Sequence, residues 1–192
     1  MKFLTQLFSI DKSPKRGLLA LEWLVMAYTV FTLLVALFTY TNLQNPDAMI
    51  WGRVRVVAMT VALWVAYRLV PCRLTLLARV VAQMSLLAWW YPDTYELNRM
   101  FPNLDHVFCR AEQSVFGFQP ALTFASTFSW APISELMSMG YAAYYPMIGL
   151  VAFYYFFARY KEFERASFVL LASFFIYYIA VSYTHLTLPT NR

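Results

Sequence analysis

Apolar runs long enough to cross a bilayer recur along this chain, and that recurrence leaves it few ways to fold. The first extends from Gly17 to Tyr40, the second from Val54 to Val70 and the third from Leu74 to Tyr91. A fourth covers about Ser134 to Phe157, and a fifth begins near Ser167 and fades at Val181. A spanning helix needs about 20 predominantly apolar residues. The sequence therefore predicts an all-α, multi-pass transmembrane helical bundle with five visible spans. Composition agrees: 13% of residues are charged, against about 25% in a soluble domain. The fifth run is the weak one, because fifteen residues give about 22 Å of helix against a hydrocarbon core of about 30 Å.

Five regions follow. Residues 1–16 form a cytoplasmic segment in which Phe3, Leu4, Leu7, Phe8 and Ile10 line one face of a short interfacial helix that Pro14 ends. No small-residue cleavage site follows the first span, so that span is retained as mature structure. Residues 17–91 hold three transmembrane helices, the first two separated by the turn cluster T-N-L-Q-N-P-D. Residues 92–133 form a surface segment notched by Pro92, Pro102, Pro120 and Pro132. Within it, Leu104 to Phe116 reads as an amphipathic helix lying along the membrane and stopped by Gly117. Residues 134–181 supply two more helices, with a kink expected at Pro146. The last residues, V-S-Y-T-H-L-T-L-P-T-N-R, resemble translated sequencing adapter, so 182–192 is read as a non-native tail and His185 receives no functional weight.

Basic residues set the orientation. With the N-terminus inside, the inner segments carry nine: Lys2, Lys12, Lys15, Arg16, Arg68, Arg73, Arg159, Lys161 and Arg165. The outer segments carry four: Arg53, Arg55, Arg99 and Arg110. The positive-inside rule then places the N-terminus in the cytoplasm of a plasma (inner) membrane protein and turns the surface segment outward. The net charge of +5 is absorbed by this rule. No nucleic-acid partner is expected, since no basic run exceeds Lys15-Arg16. Membrane lipids are the expected partners. Cys72 and Cys109 fall on opposite membrane faces, and no Cys/His spacing resembles a metal site.

Two features inside the spans stand out. Arg79 and Gln83 are four residues apart on one helix face, and intramembrane charges are costly and often functional. Arg79 lies at a depth similar to Glu22 on the first span, so a structural Glu22–Arg79 ion pair is expected, with snorkelling of Arg79 to the headgroups as the alternative. His106 follows Asp105, but adjacent helical residues point in different directions, which leaves a surface histidine rather than an acid–base pair. Cys109 reads as a packed thiol rather than a nucleophile. Phe116-Gly117-Phe118-Gln119-Pro120 lacks the glycines of a phosphate loop and reads as a tight turn. Tyr141, Tyr144, Tyr145, Tyr154, Tyr155, Tyr177 and Tyr178 read as packing and interface groups.

The segment D-H-V-F-C-R-A-E-Q-S-V-F-G-F-Q-P, followed by S-E-L-M-S-M-G-Y-A-A-Y-Y-P, resembles the region that precedes the catalytic core in bacterial members of the type 2 phosphatidic acid phosphatase superfamily. The inositol-phosphoceramide-synthase-like branch is the nearest in this respect. The likeness covers roughly residues 90–180 and is carried by Asp105, Phe116-Gly117, Pro120, Glu135 and the run from Tyr141 to Pro146. It implies phosphoryl transfer from lipid phosphates through a phosphohistidine, with no metal and no cofactor. The family does this with an Arg-Pro segment, a Pro-Ser-x-His segment and a later His followed by Asp. None of these occurs in the 192 residues, so no catalytic residue is carried over. The resemblance therefore implies the front part of an outer-leaflet lipid phosphatase or phosphotransferase, inactive alone. Asp105, Phe116, Gly117, Gln119 and Pro120 would then edge the headgroup entrance. A non-enzymatic membrane scaffold or a transporter fragment is the alternative, although the chain shows no inverted repeat and no pair of Gly-broken spans.

Overall fold

The computed structural model describes residues 7–10, 14–98 and 104–184. It is 85% helical. Among the described residues from Gly17 onward, seven α-helices follow one another: α1 (Ala20–Phe38), α2 (Pro46–Leu69), α3 (Arg73–Asn98), α4 (Asp105–Phe116), α5 (Pro120–Thr127), α6 (Ala131–Ala158) and α7 (Phe163–Thr184). Three-residue 3₁₀ turns occupy Tyr40–Asn42 and Tyr160–Glu162. No strand forms among the described residues; the one β contact is an isolated bridge between Ile10 and Cys72.

Among the described residues, four helical stretches are long and apolar enough to cross a membrane: Ala20–Phe38, Pro46–Leu69, Arg73–Asn98 and Tyr160–Ser182. Helix α6 adds a shorter apolar stretch, Pro146–Ala158. The chain is an all-α membrane bundle. Several boundaries differ from the sequence expectation, each for a physical reason. Helix α2 begins at Pro46, because proline is well placed in the first turn, where its missing N–H would have no intrahelical partner. Helix α3 runs straight through Pro92 to Asn98, so the surface segment starts later than residue 92. The stripe of buried residues Leu86, Trp90, Thr94 and Leu97 keeps its helical spacing across the proline. Burial of that face outweighs the one backbone bond that proline removes. Helix α7 starts at Phe163, four residues before the expected Ser167, so its 22 residues are no longer short for a span. The buried side chain of Phe163 is what draws the first turn in. The expected interfacial helix at residues 3–10 and His185 fall largely or wholly outside the described residues.

Helices α1, α2, α3 and α7 form the packed body. Helix α7 lies chiefly on α3 and also on α1, while α2 packs against α1 and α3. Helix α6 packs along α7. At the centre three rings lock α1, α3 and α7 together. Tyr28 stacks on Phe175 with centroids 4.3 Å apart and planes 3° apart. Trp90 meets both edge-on, at 4.9 Å from Tyr28 and 5.2 Å from Phe175. Aromatic pairs of this kind add about 0.5–1.5 kcal/mol each beyond the burial of their area. Val25, Val80 and Leu171 have no exposed surface and fill the space around the rings. Outward-facing Trp23, Phe31, Leu34, Trp51 and Ile176 are exposed, as suits a surface that meets acyl chains rather than water.

Helices α4 and α5 lie outside this body. From His106 to Trp130 no residue is buried. Gly117, with φ of 74°, ends α4 in the left-handed conformation, and Gln113 donates from its side-chain amide to the Gly117 carbonyl at 2.7 Å. The tight turn expected at Phe116 to Pro120 is thus a glycine-terminated helix end followed by a helix whose first residue is Pro120.

Trp90 is 1% exposed and Trp89 50% exposed. Trp90→Ala is expected to cost about 3–5 kcal/mol of stability, read as a lowered unfolding midpoint in detergent micelles. Trp89→Ala, which removes a ring from the lipid-facing side, is expected to leave that midpoint nearly unchanged.

Candidate functional site

Three polar contacts follow the line where α1, α2 and α3 meet, two of them buried and the third part-buried. The first lies at the end of the bundle where the chain enters α1. Arg79 donates from Nε to Oε1 of Glu22 at 2.7 Å and from Nη2 to Oε2 at 2.5 Å. Both side chains are fully buried. The structure thus brings the two residues together as a two-pronged pair, the strongest geometry open to arginine and a carboxylate. Glu22 has a second task. It is the third residue of α1, and its Oε2 accepts from the Leu19 backbone N–H at 2.8 Å, closing the free end of the helix as a capping glutamate does. Its negative charge also faces the positive end of the helix dipole. Arg79 reaches further, donating to the Gly17 carbonyl at 3.3 Å and placing its guanidinium 4.9 Å from the ring centre of Tyr67 on α2. One arginine on α3 therefore touches α1, α2 and the entering chain. Snorkelling does not occur: Arg79 has no exposed surface.

The second contact sits one turn further along α3. Gln83 donates from Nε2 to the Thr60 hydroxyl on α2 at 3.0 Å, and Thr60 donates to the Val56 carbonyl at 2.9 Å. The third lies at the far end. Arg53 of α2 donates from Nη1 to Oδ2 of Asp93 on α3 at 2.6 Å, from Nη1 to the Met49 carbonyl at 3.1 Å and from Nε to the Thr32 hydroxyl on α1 at 3.3 Å. Arg53 is 1% exposed. Counting basic residues places Arg53 in an outer segment, whereas the structure buries it and pairs it with Asp93. A signal existed: continuing the buried stripe of α3 past Trp90 carries the helix, and Asp93 with it, past Pro92.

Some polar atoms in this line have no hydrogen-bond partner among the described residues: Nη1 of Arg79, Oε1 of Gln83 and Nη2 of Arg53. No group of three or more potential metal-binding side chains forms among them either. A small apolar crevice lies between α1, the end of α3 and α7, lined by Phe31, Val35, Leu97 and Ile179, with Thr32 and Ser182 at its polar edge.

The expected headgroup-edging residues are spread along an exposed turn. Phe116 and Gly117 are exposed, and Gln119 and Pro120 are half-buried. The Asp105 side chain lies outside the description. His106 is exposed on α4, and Cys72 and Cys109 are both free thiols. Burial raises the Cys72 thiol, but hydrogen bonds from the Thr75 side chain and from the Thr75 and Leu74 backbones outweigh it and hold the group below its usual range. At the far end, the Tyr40 hydroxyl donates to Oδ1 of Asp47 at 2.9 Å, which holds the phenol above its usual range.

No protein-family model, no curated protein and no solved structure matches this chain.

Removing one member of the Glu22–Arg79 pair leaves an uncompensated buried charge, whereas removing both does not. Glu22→Gln is expected to destabilise the bundle by about 3–5 kcal/mol, and Glu22→Met combined with Arg79→Met is expected to recover most of that loss. Unfolding of the two variants in detergent micelles checks this. Equal damage in both would show that the pair is not what holds the helices.

Proposed function

We propose that this chain is the front part of an integral-membrane lipid phosphatase or phosphotransferase, acting on lipid phosphates at the outer leaflet of a plasma (inner) membrane. On this reading it is inactive by itself and serves as the scaffold that positions the catalytic part. The observation that carries the proposal is the resemblance of residues 105–120 and 134–146 to the region preceding the catalytic core of the type 2 phosphatidic acid phosphatases. Two features of the chain suit it. The resembling segments form helix α4, the first residue of α5 and the first half of α6, and α6 packs along α7 of the bundle. The buried charges are taken up by helix-to-helix pairs, which suits a rigid support and leaves reaction chemistry to groups elsewhere. The excess of basic residues at the end bearing Lys15, Arg68, Arg73 and Arg165 supports a cytoplasmic N-terminus.

One observation favours a second reading, a non-enzymatic membrane scaffold. His106, the one described histidine, is an exposed surface residue on α4.

The natural locus read past Val181 separates the two. The phosphatase reading expects an Arg-Pro, a Pro-Ser-x-His and a later His with Asp four residues on. It also expects phosphate release from phosphatidic acid by the extended protein and none by the 192-residue chain. A continuation into a soluble domain, or an immediate stop, would overturn it.

A further inference from the structure

We propose that α4 and α5 form a membrane-lying platform that docks on a bilayer surface of zwitterionic headgroups, without need of anionic lipid. This holds whether or not the lipid-phosphatase reading is correct. The argument begins with spacing. Leu104, Val107, Phe108, Ala111 and Val115 recur at three- and four-residue steps and share one face of α4. His106, Arg110 and Gln113 lie opposite them. The apolar face is open: Val115 is 73% exposed, and Leu122 on α5 and Trp130 just beyond it are 63% and 71% exposed. Phe116, Phe118, Phe124 and Phe128 are exposed as well. So large an uncovered apolar surface marks a place where something apolar lies.

Two observations identify the lipid surface as that occupant. The first is continuity. The platform follows α3, a membrane-length helix, and leads into α6, whose Leu136, Met137 and Met139 are also exposed. Its two ends are therefore anchored at one membrane surface. The 12 residues of α4 give about 18 Å of helix, well short of the hydrocarbon thickness, so the helix lies along the surface instead of crossing. The second observation is charge. Residues 104–135 hold one basic side chain, Arg110, against Asp105, Glu112 and Glu135. Surface helices that seek anionic lipid carry lysine and arginine on the polar face. This one is net acidic, so apolar burial and aromatic anchoring drive its docking, and added anionic lipid gives no attraction.

Spin labels at two positions test the proposal in the full chain, reconstituted in phosphatidylcholine bilayers and in phosphatidylcholine with phosphatidylglycerol. A label on the native Cys109, in a Cys72→Ser background, reports from the polar side of α4. A label at Val115→Cys, with both native cysteines replaced by Ser, reports from the apolar side. Phe108→Cys serves as a second apolar-side position should Val115→Cys not fold. The apolar-side label is expected about 5–10 Å below the headgroup level, exposed to oxygen and shielded from an aqueous nickel relaxant. The Cys109 label is expected to meet the nickel. Neither depth should change with phosphatidylglycerol or with salt. Three outcomes would overturn the proposal: equal nickel access at both labels, insertion only when phosphatidylglycerol is present, or dipolar broadening between labels, which would show a second copy on the face.

Discussion

A charge buried among apolar helices has to find its opposite, and the Glu22–Arg79 pair is where this bundle meets that demand. Taking two ions out of water costs several kcal/mol each before their attraction is counted. The cost is met here by saturating the carboxylate: two bonds from Arg79 and one from the Leu19 N–H. The same geometry fixes where α1 begins, how deep α3 sits beside it, and which face of Tyr67 on α2 is turned inward. The aromatic cluster of Tyr28, Trp90 and Phe175 can form only once that depth is set, because its rings come from three different helices.

The molecule divides into a body that is ordered by burial and a platform that is not. In α1, α2 and α3, the buried charged residues meet across helices, while Thr29 and Thr32 return their hydroxyls to the carbonyl four residues back. Along α4 and α5, side-chain hydrogen bonds are local, as with Gln113 to Gly117 and Ser114 to Ala111. Local bonds shape a helix but do not tell it where to sit. Its position must come from the medium around it, and here that medium is the bilayer.

The spans were legible because hydrophobic length is a one-dimensional property. The Glu22–Arg79 meeting was legible too, since two isolated charges at matching depth have few other partners. Arg53 and Asp93 were not, because both lie near the ends of apolar runs, where a charge is ordinarily solvated. Pro92 hid the continuation of α3: proline punctuation is a local signal, and the stripe formed by Trp90, Thr94 and Leu97 is a tertiary one. The start of α7 was misplaced for a related reason. The charged string around Phe163 reads as a loop until that ring is seen in the core. The headgroup-edging role of Phe116 to Pro120 rests on likeness alone, and the structure contributes only the exposure of Phe116 and Gly117 and the turn that Gly117 makes.

Charged ties at both ends of α3, Arg79 to α1 and Asp93 to α2, act like two pins through a pair of plates. Sliding α3 lengthwise by a single residue, about 1.5 Å, would lengthen both sets of bonds together. Piston-like motion is thereby opposed at both ends of this three-helix wall. Helix α6 packs along α7 and carries no such helix-to-helix ion pair among the described residues, so tilting or swivelling against that post is the freedom the pins leave open.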